Sequence, residues 1–132
     1  MSDRPDSTPF AQLIVAAEAY FAAVDRKDLA GTLAWLAPDA RFAVATYDTV
    51  FQGHEQIRGM FERLFARYQG IWHGDFQHVV QPPDQLACQF HVRNTAFDGQ
   101  VFRKNNCNFF RMGSDGRFKE VAVYMSGDNA LR

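Results

Sequence analysis

The chain has 132 residues, with 14 basic and 15 acidic side chains, a formal net charge of −1 and 47% hydrophobic residues. That is enough for one core and too little for two. The charges are interleaved, so no basic face exists to neutralise phosphates or lipid headgroups, which excludes nucleic acid and membrane surfaces as expected partners. The aromatic count of 13 Phe, 4 Tyr and 2 Trp exceeds what a core of this size takes up, so part of it is expected to line a cavity or an interface.

Residues 1–8 read as a polar tail and 9–132 as a single domain. The tail does not resemble a signal peptide, and no apolar run approaches the ~20 residues of a membrane span, so a cytoplasmic location is expected. In that compartment Cys88 and Cys107, which have neither metal-ligand spacing nor a disulfide framework around them, are reduced packing thiols. Thr8 suits a helix cap and Pro9 a first turn. Phe10, Leu13, Ile14, Ala17, Phe21 and Val24 then hold the spacing of a helix with one apolar stripe, and Tyr20 lies on its edge. Asp28 caps a short second helix carrying Leu29, Leu33 and Leu36, ended by Ala37-Pro38-Asp39. Short strands over 40–46 and 49–52 flank Tyr47-Asp48. A third helix carries Ile57, Met60, Phe61, Leu64, Phe65 and Tyr68 at helical spacing, with Gly70 placed for a left-handed end.

Beyond Gly70 the period becomes alternating. Segments near 71–81, 86–96, 101–112 and 117–126 are separated by Pro82-Pro83-Asp84, Asp98-Gly99 and Ser114-Asp115-Gly116, which predicts an antiparallel meander.

Helix, helix, short strands, long helix and meander, with AYFAAVDRKDLAG at 19–31, LAPDARF at 36–42, GHEQIR at 53–58 and FRMGSDGRF at 110–118, resemble the nuclear-transport-factor-2-like superfamily. That superfamily includes ketosteroid isomerase, scytalone dehydratase and the SnoaL-like polyketide cyclases. The resemblance covers roughly residues 10–131. It implies an α+β cone in which three N-terminal helices pack in a curved, mainly antiparallel sheet around a cavity. It does not imply one activity, since the fold hosts unrelated enzymes and binding modules. Laid against the isomerase pattern, Tyr20 falls where that enzyme has its oxyanion-donating tyrosine and Asn108 where it has the protonated aspartic acid. Val44 falls where the general base should be, and a valine accepts no proton.

Asn106 and Asn108 share one face of their strand, and a buried carboxamide must find partners. Which face that is depends on the preceding turn. A two-residue turn at Asp98-Gly99 pairs Phe90 with Cys107 and turns Asn105 and Cys107 inward, whereas the family pattern puts Phe90 and Asn108 on one side; a bulge or longer loop reconciles them. His78 alternates with Trp72, Phe76 and Val80, the apolar and inward parity of its strand, where it is a candidate proton shuttle or a structural histidine. His73 and His91 fall on the opposite parity and read as interface residues, because the outer sheet face commonly meets a second subunit in the resembled family. His54 reads as part of the N-terminal turn of the third helix, and Arg103, Lys104, Arg111 and Arg117 as a solvated or interface face.

The four histidines do not converge at ligand spacing, so no metal is expected, and no cofactor fingerprint is present. The walls of the cavity are expected from Phe42, Val44, Met60, Phe61, Leu64, Phe76, Phe90, Val92, Val123 and Met125, with Asn106 among the ligand contacts. Two functions remain open. One is a cofactor-independent lyase, isomerase or cyclase on a small hydrophobic carbonyl compound, with Tyr20 and Asn108 polarising the oxygen and His78 moving the proton. The other is a non-catalytic binding or association module, in either case a homodimer through the outer sheet face.

Overall fold

The structure, a computed structural model, describes residues 8–132, so the polar tail and the capping of the first helix lie outside the described residues except for Thr8 itself. Helix α1 (Thr8–Asp25) buries Leu13, Ala17, Tyr20, Phe21 and Val24, the face predicted by its 3.6-residue period with Tyr20 drawn fully inside. Asp28 caps α2 (Leu29–Ala34), its carboxylate accepting from the Gly31 N–H at 2.9 Å. The helix stops two residues earlier than its leucine spacing suggests. Leu36 opens strand β1 (Leu36–Val44) instead of closing α2, because the Trp35 carbonyl is taken by the Phe118 N–H at 2.8 Å and Leu36 pairs with Phe118.

Strand β2 (Thr49–Gln52) returns antiparallel along β1, and α3 (Gly53–Arg67) follows, burying Ile57, Met60, Phe61 and Leu64. His54 Nε2 contacts the Leu36 carbonyl at 2.7 Å and ties the start of α3 to β1. Gly70 is not a left-handed cap. Tyr68 ends α3 in extended conformation and Gly70 begins β3 (Gly70–Gln81). Strands β4 (Gln85–Thr95), β5 (Val101–Met112) and β6 (Phe118–Met125) complete the meander. The sheet order is β2-β1-β6-β5-β4-β3, with only β1 and β6 parallel. Three helices against this six-stranded mixed sheet give the α+β cone. Among the described residues no helix is long and apolar enough to cross a membrane.

Candidate functional site

Two local events decide which side chains enter the concavity. The first is in β3. Its pairing with β4 advances by one residue between Gly74 and Gln77, so that Asp75 and Phe76 together oppose Phe90: a β-bulge of one extra residue. Asp75 turns through the left-handed region at φ 57°. Gly74 is required beside it, because a Cβ there would lie 2.1 Å from the Trp72 ring. The bulge reverses the parity of the strand. Before it Ile71 and His73 face the helices; after it Phe76, His78 and Val80 do. Trp72 is therefore on the outer face, stacked 3.9 Å under the Arg93 guanidinium. His73, read from uniform alternation as an outer residue, points inward. His91 is exposed and bonds Asp75 at 3.0 Å.

The second event is the turn between β4 and β5. The Ala96 N–H bonds the Gln100 carbonyl and the Gly99 N–H the Ala96 carbonyl, so the loop is three residues long, Phe97, Asp98 and Gly99, with Gly99 at φ 92°. That is the hairpin in which the left-handed position calls for glycine. One residue more than a two-residue turn moves every pair by one: Phe90 opposes Asn106 and Cys88 opposes Asn108. Lys104, Asn106 and Asn108 thereby face the cavity, and Asn105 and Cys107 do not. Cys88 and Cys107 are both free.

Around these residues lies a cavity of about 40 Å³, room for on the order of three water molecules. Phe61 and Leu64 line it from α3 and Phe42 from β1. Phe90, Val92, Val123 and Met125 complete the apolar part of the sheet side. Val44 and Met60, expected in the wall, are fully buried but pack in the core behind it. Phe76 likewise stops short, stacked on Phe21 with ring centroids 5.2 Å apart and on Phe90 at 5.8 Å.

Tyr20 lines the cavity and is 3% exposed, its ring edge-on to Phe61 and Phe110. Its hydroxyl has no hydrogen-bond partner among the described residues. Burial, and secondarily the nearby Asp25 carboxylate, push the phenol far above its ordinary range, so it stays protonated and can only donate or weakly accept. His73 lines the same cavity. Its backbone N–H donates to Asp25 Oδ2 at 3.0 Å and its Nδ1 meets Asp25 Oδ1 at 2.5 Å, an arrangement that fixes the tautomer and ring plane and leaves Nε2 for the cavity. Phe21 and Phe90 hold the ring from two sides. His78 is elsewhere. It is on the inner parity, stacked on Phe76, but bonds Glu18 at 2.7 Å and is not part of the cavity wall.

The sheet side carries Asn94, Asn106 and Asn108, all buried, and each amide oxygen is without a hydrogen-bond partner among the described residues. Lys104 completes that wall, 7% exposed, with Nζ donating to the carbonyls of Ser126 at 2.8 Å and of Asp128. Lys104, expected on a solvated or interface face, is turned inward by the register of β5. The His73–Asp25 pair and Asn94 were likewise missed, although an acidic residue ending a helix, against its dipole, and a Gly-Asp inside a strand were signals that could have raised them. Among the described residues no group of three His, Cys, Asp or Glu side chains could hold a metal ion.

A family model described as a SnoaL-like domain matches residues 17–121, most of the chain. The chain belongs to the SnoaL-like domain family. No curated protein is significantly similar to it, but solved structures are. A protein of Xanthomonas campestris pv. campestris provisionally named a polyketide cyclase superimposes with TM-score 0.78 at 18% identity, over 86% of this chain and 90% of that one. One of Novosphingobium aromaticivorans provisionally named an aromatic ring hydroxylase gives 0.75 at 23%, over 96% of each. A hypothetical protein of Catenulispora acidiphila with a ketosteroid isomerase-like fold, solved in complex with trimethylamine, gives 0.73 at 14%, over 83% of each. At such identities the likeness is one of fold.

Proposed function

We propose that this SnoaL-like protein, one domain over residues 9–132, is a cofactor-independent lyase, isomerase or cyclase acting on a small hydrophobic carbonyl compound. The observation that carries the reading is the opening of the His73–Asp25 pair onto the same cavity as Tyr20 and Asn108. Tyr20, protonated by virtue of burial, donates to the substrate oxygen, and the Asn108 carboxamide adds a second hydrogen bond. His73 Nε2 takes the proton from the carbon next to the carbonyl, and Asp25 stabilises the imidazolium that results. His73 thus takes the role that sequence parity assigned to His78. The provisional name of one structural relative, a polyketide cyclase, agrees with carbonyl chemistry of this kind.

Hydrogen–deuterium exchange tests it directly. In D₂O, NMR of small enolisable ketones such as acetophenone and 2-pentanone should show α-proton loss accelerated by the protein and abolished by His73→Ala and Tyr20→Phe. With Val44 buried in place of a carboxylate, a standard unsaturated ketosteroid should not be isomerised. Binding without exchange would favour the rival reading, a non-catalytic module. The reading extends to a cytoplasmic homodimer. Phe109 and Tyr124, edge-on at 5.8 Å, are about half exposed on the outer face, an aromatic patch that a second copy would cover. A monomer by light scattering at micromolar concentration would remove that part.

A further inference from the structure

The cavity is electrostatically one-sided. Lys104 brings an ammonium into its wall, and among the described residues no Asp or Glu lines it. Burial lowers the affinity of Lys104 for its proton, with Asp128 opposing. No carboxylate lies within ion-pair distance of Nζ among the described residues, since the two bonds it makes go to neutral backbone carbonyls. That leaves the third ammonium proton without a protein acceptor. A largely buried ammonium with no carboxylate in direct contact, Asp128 acting on it only at longer range, can take a further anion.

The neighbours suit an anion with two oxygens. Asn106 follows Lys104 on the inner face of β5, and Asn94 stands diagonally across on β4, since Val92 pairs with Lys104 and Asn94 with Phe102. Both carboxamides are at least nine-tenths buried, and each has an amide oxygen with no hydrogen-bond partner among the described residues. An oxygen there would repel a carboxylate, so the amides receive one by turning over about their terminal bond, which puts N–H groups where the oxygens stand. Behind this arc Phe61, Leu64 and Phe90 form apolar surface. Outside it, Arg67 holds the Ala130 carbonyl at 2.5 Å and Arg63 the Arg132 carbonyl at 3.3 Å, which adds positive charge beside the Ala130–Leu131 segment that closes one side of the cavity.

We infer that the ligand of this cavity is a small carboxylate, its two oxygens bound by Lys104, Asn94 and Asn106 and its hydrocarbon part lying against Phe61, Leu64 and Phe90. The inference rests on the proposed carbonyl-compound site and narrows it: the substrate is a keto acid or a comparable acid, whose carboxylate is anchored at Lys104 while its reacting carbon meets His73.

The test uses matched acids and amides on the full chain. Isobutyrate and benzoate, with isobutyramide and benzamide as neutral twins and trimethylammonium as the opposite charge, are titrated by ¹H–¹⁵N NMR. The acids should bind at least about tenfold more tightly than the amides, the value of one hydrogen bond to a charged group. Trimethylammonium should not bind, and shifts should centre on residues 94, 104 and 106. Lys104→Met should erase the preference for acids and Lys104→Arg keep most of it. Because Lys104 also clamps the turn at Ser126–Asp128, the acid-to-amide ratio of the unaltered protein decides by itself if the Met variant does not fold. Amides binding as tightly as acids would overturn the carboxylate anchor and leave the carbonyl-compound reading intact. No binding by acids, amides or ketones would overturn both.

Discussion

Helix α1 and strand β3 are joined by two histidine–carboxylate pairs of nearly identical chemistry, Asp25 with His73 at 2.5 Å and Glu18 with His78 at 2.7 Å. The two carboxylates are seven residues apart, two turns of one helix and so on one face of it. The two histidines are five apart, an odd separation that would put them on opposite faces of an unbroken strand. Only the bulge at Asp75–Phe76 allows both to meet α1. One pair lies at the cavity, its side chains 12% and 22% exposed; the other leaves Glu18 47% exposed. The difference teaches that residue type and partner do not confer a role, whereas position relative to the concavity does.

The sharpest way to break the comparison is to remove each histidine and follow α-proton exchange. His73→Ala should cost ~10²–10⁴ in rate, the usual worth of a positioned acid–base group, while His78→Ala should stay within about twofold. Asp25→Asn, acting through the ring it orients, should lower the rate with little change in ligand affinity. Equal losses at the two histidines would end the distinction.

A second contrast is in alkali. Cys88 pairs across the sheet with His78 and so belongs to the rim side. Burial, then Cys107 and Glu18, push its thiol from 9.0 up to about 12. The folded state holds this proton more tightly than the unfolded one, so its contribution to stability is complete below pH 9.0 and is lost as pH rises toward 12. At roughly 1.4 kcal/mol per pH unit, a loss on the order of 2 kcal/mol is expected by pH 11. Urea unfolding at pH 8 to 11 measures it, and Cys88→Ala should flatten the slope between pH 9 and 10, before Tyr20 adds its own loss above 10. An unchanged slope would mean that the thiol is not held by burial.

How these pairs escaped a reading of the sequence is a matter of single residues. The helical stripes through Phe21 and Phe61 and the four alternating segments were legible, because burial repeats every 3.6 or two residues and many positions vote. The strand-to-strand phase was not, because one inserted residue inverts a whole face and leaves the period on either side intact. Asp75 did this in β3 and exchanged Trp72 for His73. Phe97 did it in the β4–β5 loop and decided for Asn106 and Asn108 over Asn105 and Cys107. Lys104 was hidden by the same phase, since a lysine on an outer face needs no explanation and one on an inner face does. Tyr20 and Asn108 were located by family pattern alone.

The bulge itself can be probed at smaller cost. Asp75 holds φ 57°, which aspartate tolerates and a β-branched residue does not. Asp75→Val should therefore destabilise by about 1–2 kcal/mol in urea unfolding, and Asp75→Gly should change stability by less than about 0.5 kcal/mol because the exposed bond to His91 contributes little. Full stability in the Val variant would show that Asp75 does not fix the phase of β3.

Opposing terms keep the effect small at the rim. His78→Ala removes a bond to a half-exposed carboxylate, an interaction worth at most about 1 kcal/mol, together with the stacking on Phe76, centroids 5.7 Å apart and ring planes nearly parallel. Against these losses it also removes a buried ring nitrogen, Nδ1, that has no hydrogen-bond partner among the described residues and costs stability for that reason. The terms oppose, so the net change should lie within about 1 kcal/mol, with Glu18→Ala no larger. His73→Ala differs in kind, since it strips the ring Nδ1 bond from an Asp25 carboxylate that is only 22% exposed and leaves it the residue 73 backbone N–H alone, and it should cost more than His78→Ala in the same urea titration. If His78→Ala proved the more destabilising of the two, the rim pair would be the anchor of α1 on β3, and the assignment of structural and chemical roles to the two histidines would have to be reversed.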